Sequence, residues 1–102
     1  MPRPPKLNAD AVRAALLERP DWTLLTGGEA IQRAFVASNF AAALGFANAV
    51  GILAETADHH PDILLHGWNK ITITLSTHDQ GGLTELDFAL AAKIDDVRFP
   101  QK

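Results

Sequence analysis

The spacing of hydrophobic positions switches between a helical and an alternating period along the chain, and each switch marks an element. Val12, Leu16 and Leu17 form a short helical stripe. Asn8 is placed to cap its start, Leu7 to staple onto Val12, and Pro20 ends it. Two strands are expected at 22–25 and 31–36, separated by Thr26-Gly27-Gly28-Glu29, whose glycines permit the positive φ of a tight turn. In the second strand Ile31, Arg33 and Phe35 alternate with Gln32 and Ala34, so one face suits a core. Ser38 or Asn39 then caps a long helix running to about Ala57. Its apolar residues follow two lines, one through Phe40, Leu44 and Gly51 and another through Phe46, Val50, Leu53 and Ala57. A second hairpin is expected at 63–67 and 71–77, turning through Trp68-Asn69-Lys70 with Asn69 suited to the left-handed region. There Ile71, Ile73 and Leu75 alternate with Thr72, Thr74 and Ser76, and His78 falls on the polar parity. After Gln80-Gly81-Gly82, Thr84 and Asp87 have the spacing of a capping box, with Leu83 placed to staple onto Phe88. Leu86, Leu90, Ile94 and Val97 carry that last helix toward Pro100. The two hairpins do not match each other in sequence, so no internal repeat is implied.

Composition narrows what such a chain can be. With 102 residues, 47% hydrophobic and 21% charged, it suits one domain over 7–102 behind a short, flexible, proline-rich leader at 1–6. A domain of this size buries only about 60–70% of its unfolded surface, so it gains from a subunit partner. The two-lined long helix points the same way: one side can cover the chain's own sheet while the other meets a neighbouring subunit. A net charge of −3 supplies no basic field for phosphate backbones, so nucleic acid is not an expected ligand. No cysteine is present, which excludes disulfides, thiolate metal sites and thiol nucleophiles and fits a reducing compartment. The leader has no apolar run behind it, and no segment reads as the roughly 20 apolar residues of a membrane span. A cytoplasmic protein with no membrane partner is therefore expected.

The candidate chemistry gathers at Glu55-Thr56-Ala57-Asp58-His59-His60-Pro61-Asp62, where two adjacent imidazoles stand among carboxylates. Histidine's unperturbed titration lies near neutral pH, so a cluster of histidines can both give and take protons. Glu55 and His59 share a helix face if the helix continues that far, and Pro61 restricts His60 to extended geometry. The two rings then leave the chain in different directions, one from the last helical turn and one from the entry to a strand. Because hairpin strands are antiparallel, His78 returns beside Asp62 and so beside both. Asp87 has a sufficient structural reason in its capping box, Trp22 reads first as a core or edge aromatic, and His66 has no acidic neighbour close in sequence. Metal ligation, proton transfer and a purely structural role all stay open for His59, His60 and His78 at this point. The spacing does match no common zinc motif.

Glu55-xxx-His59-His60-Pro61, Trp68, Thr77-His78 and Gly82-Leu83-Thr84-xx-Asp87 together resemble the signature of the pterin-4a-carbinolamine dehydratases, a likeness extending from Trp22 through Val97. The resemblance implies an α+β fold, α-β-β-α-β-β-α, in which an antiparallel four-stranded sheet carries three helices on one face. It also implies a hydro-lyase that dehydrates 4a-hydroxytetrahydropterin to the quinonoid dihydropterin, with no metal or other cofactor. Such an enzyme recycles the pterin of an aromatic amino acid hydroxylase. Carried over by the resemblance, His59 and His78 are the acid/base pair and His60 contacts the pterin; Glu55 and Asp58 orient the imidazoles or the pterin edge. Asp87 falls on an acidic position of the site, and Trp22 walls the pocket. A homodimer or homotetramer is expected. The alternative within the same fold is a non-enzymatic dimerisation or assembly partner of another protein.

Overall fold

The computed structural model describes residues 3–102. Asn8 begins the first helix, α1 (Ala9–Glu18), by accepting the N–H of Ala11 on its side-chain oxygen at 2.8 Å. Val12 is buried, whereas Leu17, expected in the same stripe, is 84% exposed. The first hairpin comprises β1 (Thr23–Leu24) and β2 (Ile31–Val36), turning through Gly27 and Gly28 at φ 96° and 72°. Trp22 lies just outside β1 rather than beginning it.

Asn39 caps α2 (Phe40–Ala57), again through its side-chain oxygen, 2.8 Å from the N–H of Ala42. The two apolar lines of this helix part company. Ala43, Phe46, Val50 and Ala54 are buried, with Leu53 packed partly against the core, while Phe40, Leu44 and Ile52 are 47–61% exposed. By length and mean hydropathy (1.4) α2 would also pass as a membrane span, contrary to the reading that no segment does. Its buried side nevertheless belongs to the core of this domain.

The second hairpin pairs β3 (Asp62–His66) with β4 (Lys70–Leu75), each beginning one residue earlier than expected and β4 ending two residues sooner. The left-handed positions in its loop are Gly67 (φ 55°) and Trp68 (φ 60°), not Asn69. Asn69 is buried and occupied elsewhere: its side-chain N–H donates to the carbonyl of Ala37 at 3.0 Å, and its own carbonyl accepts from the N–H of Ala37. It thereby pins the second hairpin to the end of β2.

All strands run antiparallel in the order β1-β2-β4-β3. Ile31, Phe35, Ile71, Ile73 and Leu75 face the helices from the two central strands and are nearly or wholly buried. The last helix, α3 (Glu85–Asp95), starts at Thr84 with the capping box completed by Asp87. The arrangement is the expected α+β fold with its four-stranded sheet and three helices. Beyond α3, Phe99 returns to pack on Phe46 (centroids 4.3 Å apart), which itself lies 4.5 Å from Phe35. Burial of a side chain the size of Phe46 contributes up to about 3 kcal/mol, so this trio anchors the C-terminal segment to the core.

Candidate active site

The two neighbouring histidines are separated by how α2 ends. Asp58 takes the left-handed conformation (φ 50°, ψ 44°). Its N–H bonds to the carbonyl of Glu55, and that of His59 reaches back to Ala54 at 3.1 Å. These two bonds close the helix. His59 thus lies just past the helix rather than in its last turn, and it is turned inward to 5% exposure, while the side chain of His60 stays 60% exposed.

Inside, the imidazole of His59 meets Asp87. Its Nε2 lies 2.6 Å from Oδ1 of Asp87, a carboxylate with no exposed surface. The other oxygen, Oδ2, accepts the hydroxyl of Thr77 at 2.8 Å and the backbone N–H of Thr84 at 2.9 Å. A carboxylate has only acceptors to offer, so His59 presents its Nε2–H to Oδ1. With the Thr77 proton directed at Asp87, the Thr84 hydroxyl donates to Thr77 across their 2.9 Å contact. Among the described residues no buried side-chain nitrogen or oxygen lacks a partner. Nδ1 of His59 has none, so it is not sealed in; it opens onto the cleft that His59 helps to line. The buried carboxylate therefore selects which nitrogen faces a ligand.

That cleft consists of two adjoining hollows, of about 290 and 240 Å³, sharing His60, Ser76 and His78. Together they fall in the range of small-molecule sites, about 300–1,000 Å³. The smaller hollow contains His59 and Thr77. The larger is walled by Thr26 and Glu29 from the first hairpin's turn and by Asp62 and Thr74 from the paired strands. Thr74 and Ser76 share the strand parity expected for His78, although β4 has ended and His78 opens a single 3₁₀ turn (His78–Gln80). Ser76 also ties the walls together by donating to the carbonyl of Glu29 at 2.7 Å. Three imidazoles thus reach one cleft, one fixed from behind and two at its mouth.

Other expected site residues stand differently. Glu55 engages His60, with Oε1 2.6 Å from Nε2, rather than His59; the helix stops before His59 could share its face. Asp58 is exposed, makes no side-chain hydrogen bond among the described residues, and serves through its left-handed backbone. Trp22 does not wall the cleft. It is 4% exposed, and its Nε1–H donates to Oδ1 of Asp95 at 2.9 Å, where Arg33 (2.6 Å) and Arg19 (3.1 Å, to Oδ2) converge as well. His66 is exposed, and its side-chain hydrogen bond among the described residues is to the hydroxyl of Thr72, at 3.2 Å. No group of three or more His, Asp or Glu among the described residues is arranged to hold a metal.

The family model described as Pterin 4 alpha carbinolamine dehydratase matches residues 5–97. The chain belongs to the pterin-4a-carbinolamine dehydratase family. A provisionally named dehydratase of this kind from Chloroflexus aggregans is 49% identical over 90% of this chain and 96% of its own. Another from Mesorhizobium japonicum is 48% identical over 88% and 91%. A crystal structure described as a transcriptional coactivator/pterin dehydratase from Brucella melitensis superposes with a TM-score of 0.82 at 36% identity, covering 88% of this chain and 95% of that one. A pterin dehydratase-like protein identified as a RuBisCO assembly factor in the alpha-carboxysome is similar at TM-score 0.63 and 26% identity, over 74% and 86%.

Thr77, Asp62, Ser76 and Glu29 line the cleft without being among the residues expected there. Thr77 carried a signal in its position beside His78, but its bond to Asp87 depends on the loop at 78–82 folding back, which Thr77 and Gly82 close by bridging.

Proposed function

We propose that this protein is a hydro-lyase that dehydrates pterin-4a-carbinolamine to the quinonoid dihydropterin, as its family membership implies. Hydroxide is a poor leaving group, so an acid must protonate the C4a oxygen while the N5 proton departs and the new double bond forms. The observation that carries the assignment of roles is the contact between His59 and Asp87. It holds one imidazole in a fixed orientation with a nitrogen open to the cleft, and His78 lines the same hollow from an exposed turn. His59 and His78 accordingly act as the acid/base pair, and His60, braced by Glu55, binds the substrate. Which of the pair protonates the hydroxyl follows from which side the pterin presents. Dehydration of freshly generated carbinolamine, followed by its ultraviolet absorbance, tests the reading; a rate no faster than the uncatalysed reaction would overturn it.

The oligomer and the physiological setting are further parts of the proposal. Phe40, Leu44 and Ile52 on α2 and Leu64 on the edge strand β3 are exposed, and we assign these surfaces to contacts between copies in a homodimer or homotetramer. A monomeric mass at micromolar concentration in light scattering would refute that assignment. The product suits recycling for an aromatic amino acid hydroxylase. A role as an assembly partner is favoured by the likeness to the carboxysome assembly factor. Capture of a specific protein by a variant lacking His59 and His78 would support it.

A further inference from the structure

The stretch expected as a flexible leader contributes to the cleft. From Arg3 onward it runs beside the 77–83 loop and is held at successive points. The side-chain N–H₂ of Gln80 donates to the carbonyls of Arg3 (3.1 Å) and Pro4 (3.0 Å), and the N–H of Leu7 donates to the carbonyl of Leu83 at 2.8 Å. Gly82 leaves room for Lys6, whose Cε would sit only 2.8 Å from a Cβ at that position. Pro4 and Pro5 fix their own φ angles, and Pro4 also holds Arg3 extended. The side chain of Arg3 is 29% exposed and lines the same hollow as His59, His60 and His78. It is the only arginine or lysine among the described residues lining either hollow.

We propose that Arg3 is a substrate-binding residue, donating from its guanidinium to the ring carbonyl oxygen of the bound pterin. This rests on the dehydratase reading of the site. Nε of Arg3 lies 3.6 Å from Oδ2 of Asp79, which places the guanidinium beside the 78–80 turn. Asp79 also offsets the positive charge, and Asp62 and Glu29 line the adjoining hollow, so a neutral acceptor suits the place better than an anion. The ring carbonyl at C4 is such an acceptor, present in the carbinolamine and in an oxidised pterin alike, and a planar guanidinium can donate to it without engaging the departing hydroxyl. Arginine stays protonated throughout, so it binds and orients without taking part in proton transfer.

The test combines steady-state kinetics with direct binding of a fully oxidised pterin, followed by its fluorescence. Arg3→Ala should raise both KM and the pterin Kd about 10-fold, the lower end for a lost hydrogen bond to a charged group, with kcat changed less than about 2-fold. Arg3→Lys should recover part of the loss, and Gln80→Ala, which frees the backbone of the strap, should raise KM in the same direction by less. If the wild-type protein dehydrates and binds pterin while Arg3→Ala matches it in both, the inference is overturned and the dehydratase reading stands. Weakened pterin binding by Arg3→Ala in a protein that does not dehydrate would uphold Arg3 and refute the reaction. A wild-type protein that neither dehydrates nor binds pterin would refute both.

Discussion

Asp87 caps its own helix with one carboxylate oxygen and holds His59 with the other. Oδ2 receives Thr84 and Thr77, and Oδ1 lies 2.6 Å from Nε2 of the imidazole. Fold and chemistry meet in this one side chain. In Asp87→Asn the amide oxygen is best placed against the two donors at the Oδ2 position, which turns the amide N–H₂ toward His59. The ring must then accept at Nε2 and carry its proton on Nδ1. We expect kcat to fall at least about 10²-fold, the scale of a misdirected acid/base group, and the ¹⁵N shifts of His59 to report the exchanged tautomer. Unchanged shifts with full activity would remove Asp87 from the mechanism.

Thr77→Val separates the support of this network from its chemistry. The valine is of similar shape but can neither donate to Asp87 nor accept from Thr84, leaving buried partners unsatisfied. A stability loss of about 1–3 kcal/mol is expected, with a smaller fall in kcat than for Asp87→Asn. Urea titration alongside kinetics measures the two effects; a larger kinetic defect than that of Asp87→Asn would contradict the arrangement.

The three cleft histidines should respond differently. With His59 and His78 as the proposed acid/base pair, His59→Ala and His78→Ala should each lower kcat by about 10²- to 10⁴-fold. His60→Ala and Glu55→Ala should act mainly on KM, since that pair is exposed at the mouth. A His60→Ala enzyme with unchanged KM and a greatly reduced kcat would exchange the roles of the two adjacent rings.

Asp95 provides a control remote from the cleft. Its carboxylate gathers Arg19 and Trp22 from the connector after α1 and Arg33 from β2. Asp95→Ala leaves the buried Trp22 N–H and Arg19 without their acceptor, while Arg33 keeps Asp21 at 3.6 Å, and should destabilise the fold by about 2 kcal/mol. The folded fraction should retain its KM. If KM for the pterin rose sharply instead, Trp22 would belong to the site after all.

Local spacing explains what could be read in advance. The Thr84–Asp87 capping box depends on neighbours three residues apart and the alternation of Ile71, Ile73 and Leu75 on neighbours two apart, and both are legible; the cap of α2 is legible as Ser38 or Asn39, and the structure selects Asn39. Trp22 reads from its own residue type as a core or edge aromatic, and it is buried; only the resemblance moves it to the pocket wall, while its bond to Asp95, 73 residues distant, is encoded by no periodicity. Asn69 was assigned the left-handed position on intrinsic tolerance, yet tertiary bonds to Ala37 set its conformation and passed the positive φ to Gly67 and Trp68. At the cleft, the divergence of His59 and His60 was legible from Pro61. Their acidic partners were not, because these depend on where α2 stops.

The left-handed turn at Asp58 gives that stopping point a further meaning. Neighbouring residues in the short connector after it face opposite ways, one ring inward to Asp87 and one outward to Glu55. The doublet therefore behaves as a parity element. A single residue inserted or deleted between Ala57 and His59 would offer the wrong imidazole to the buried carboxylate, whereas an even change would restore the facing but shift the sheet. Tolerance of length variation in this connector should be among the lowest in the chain.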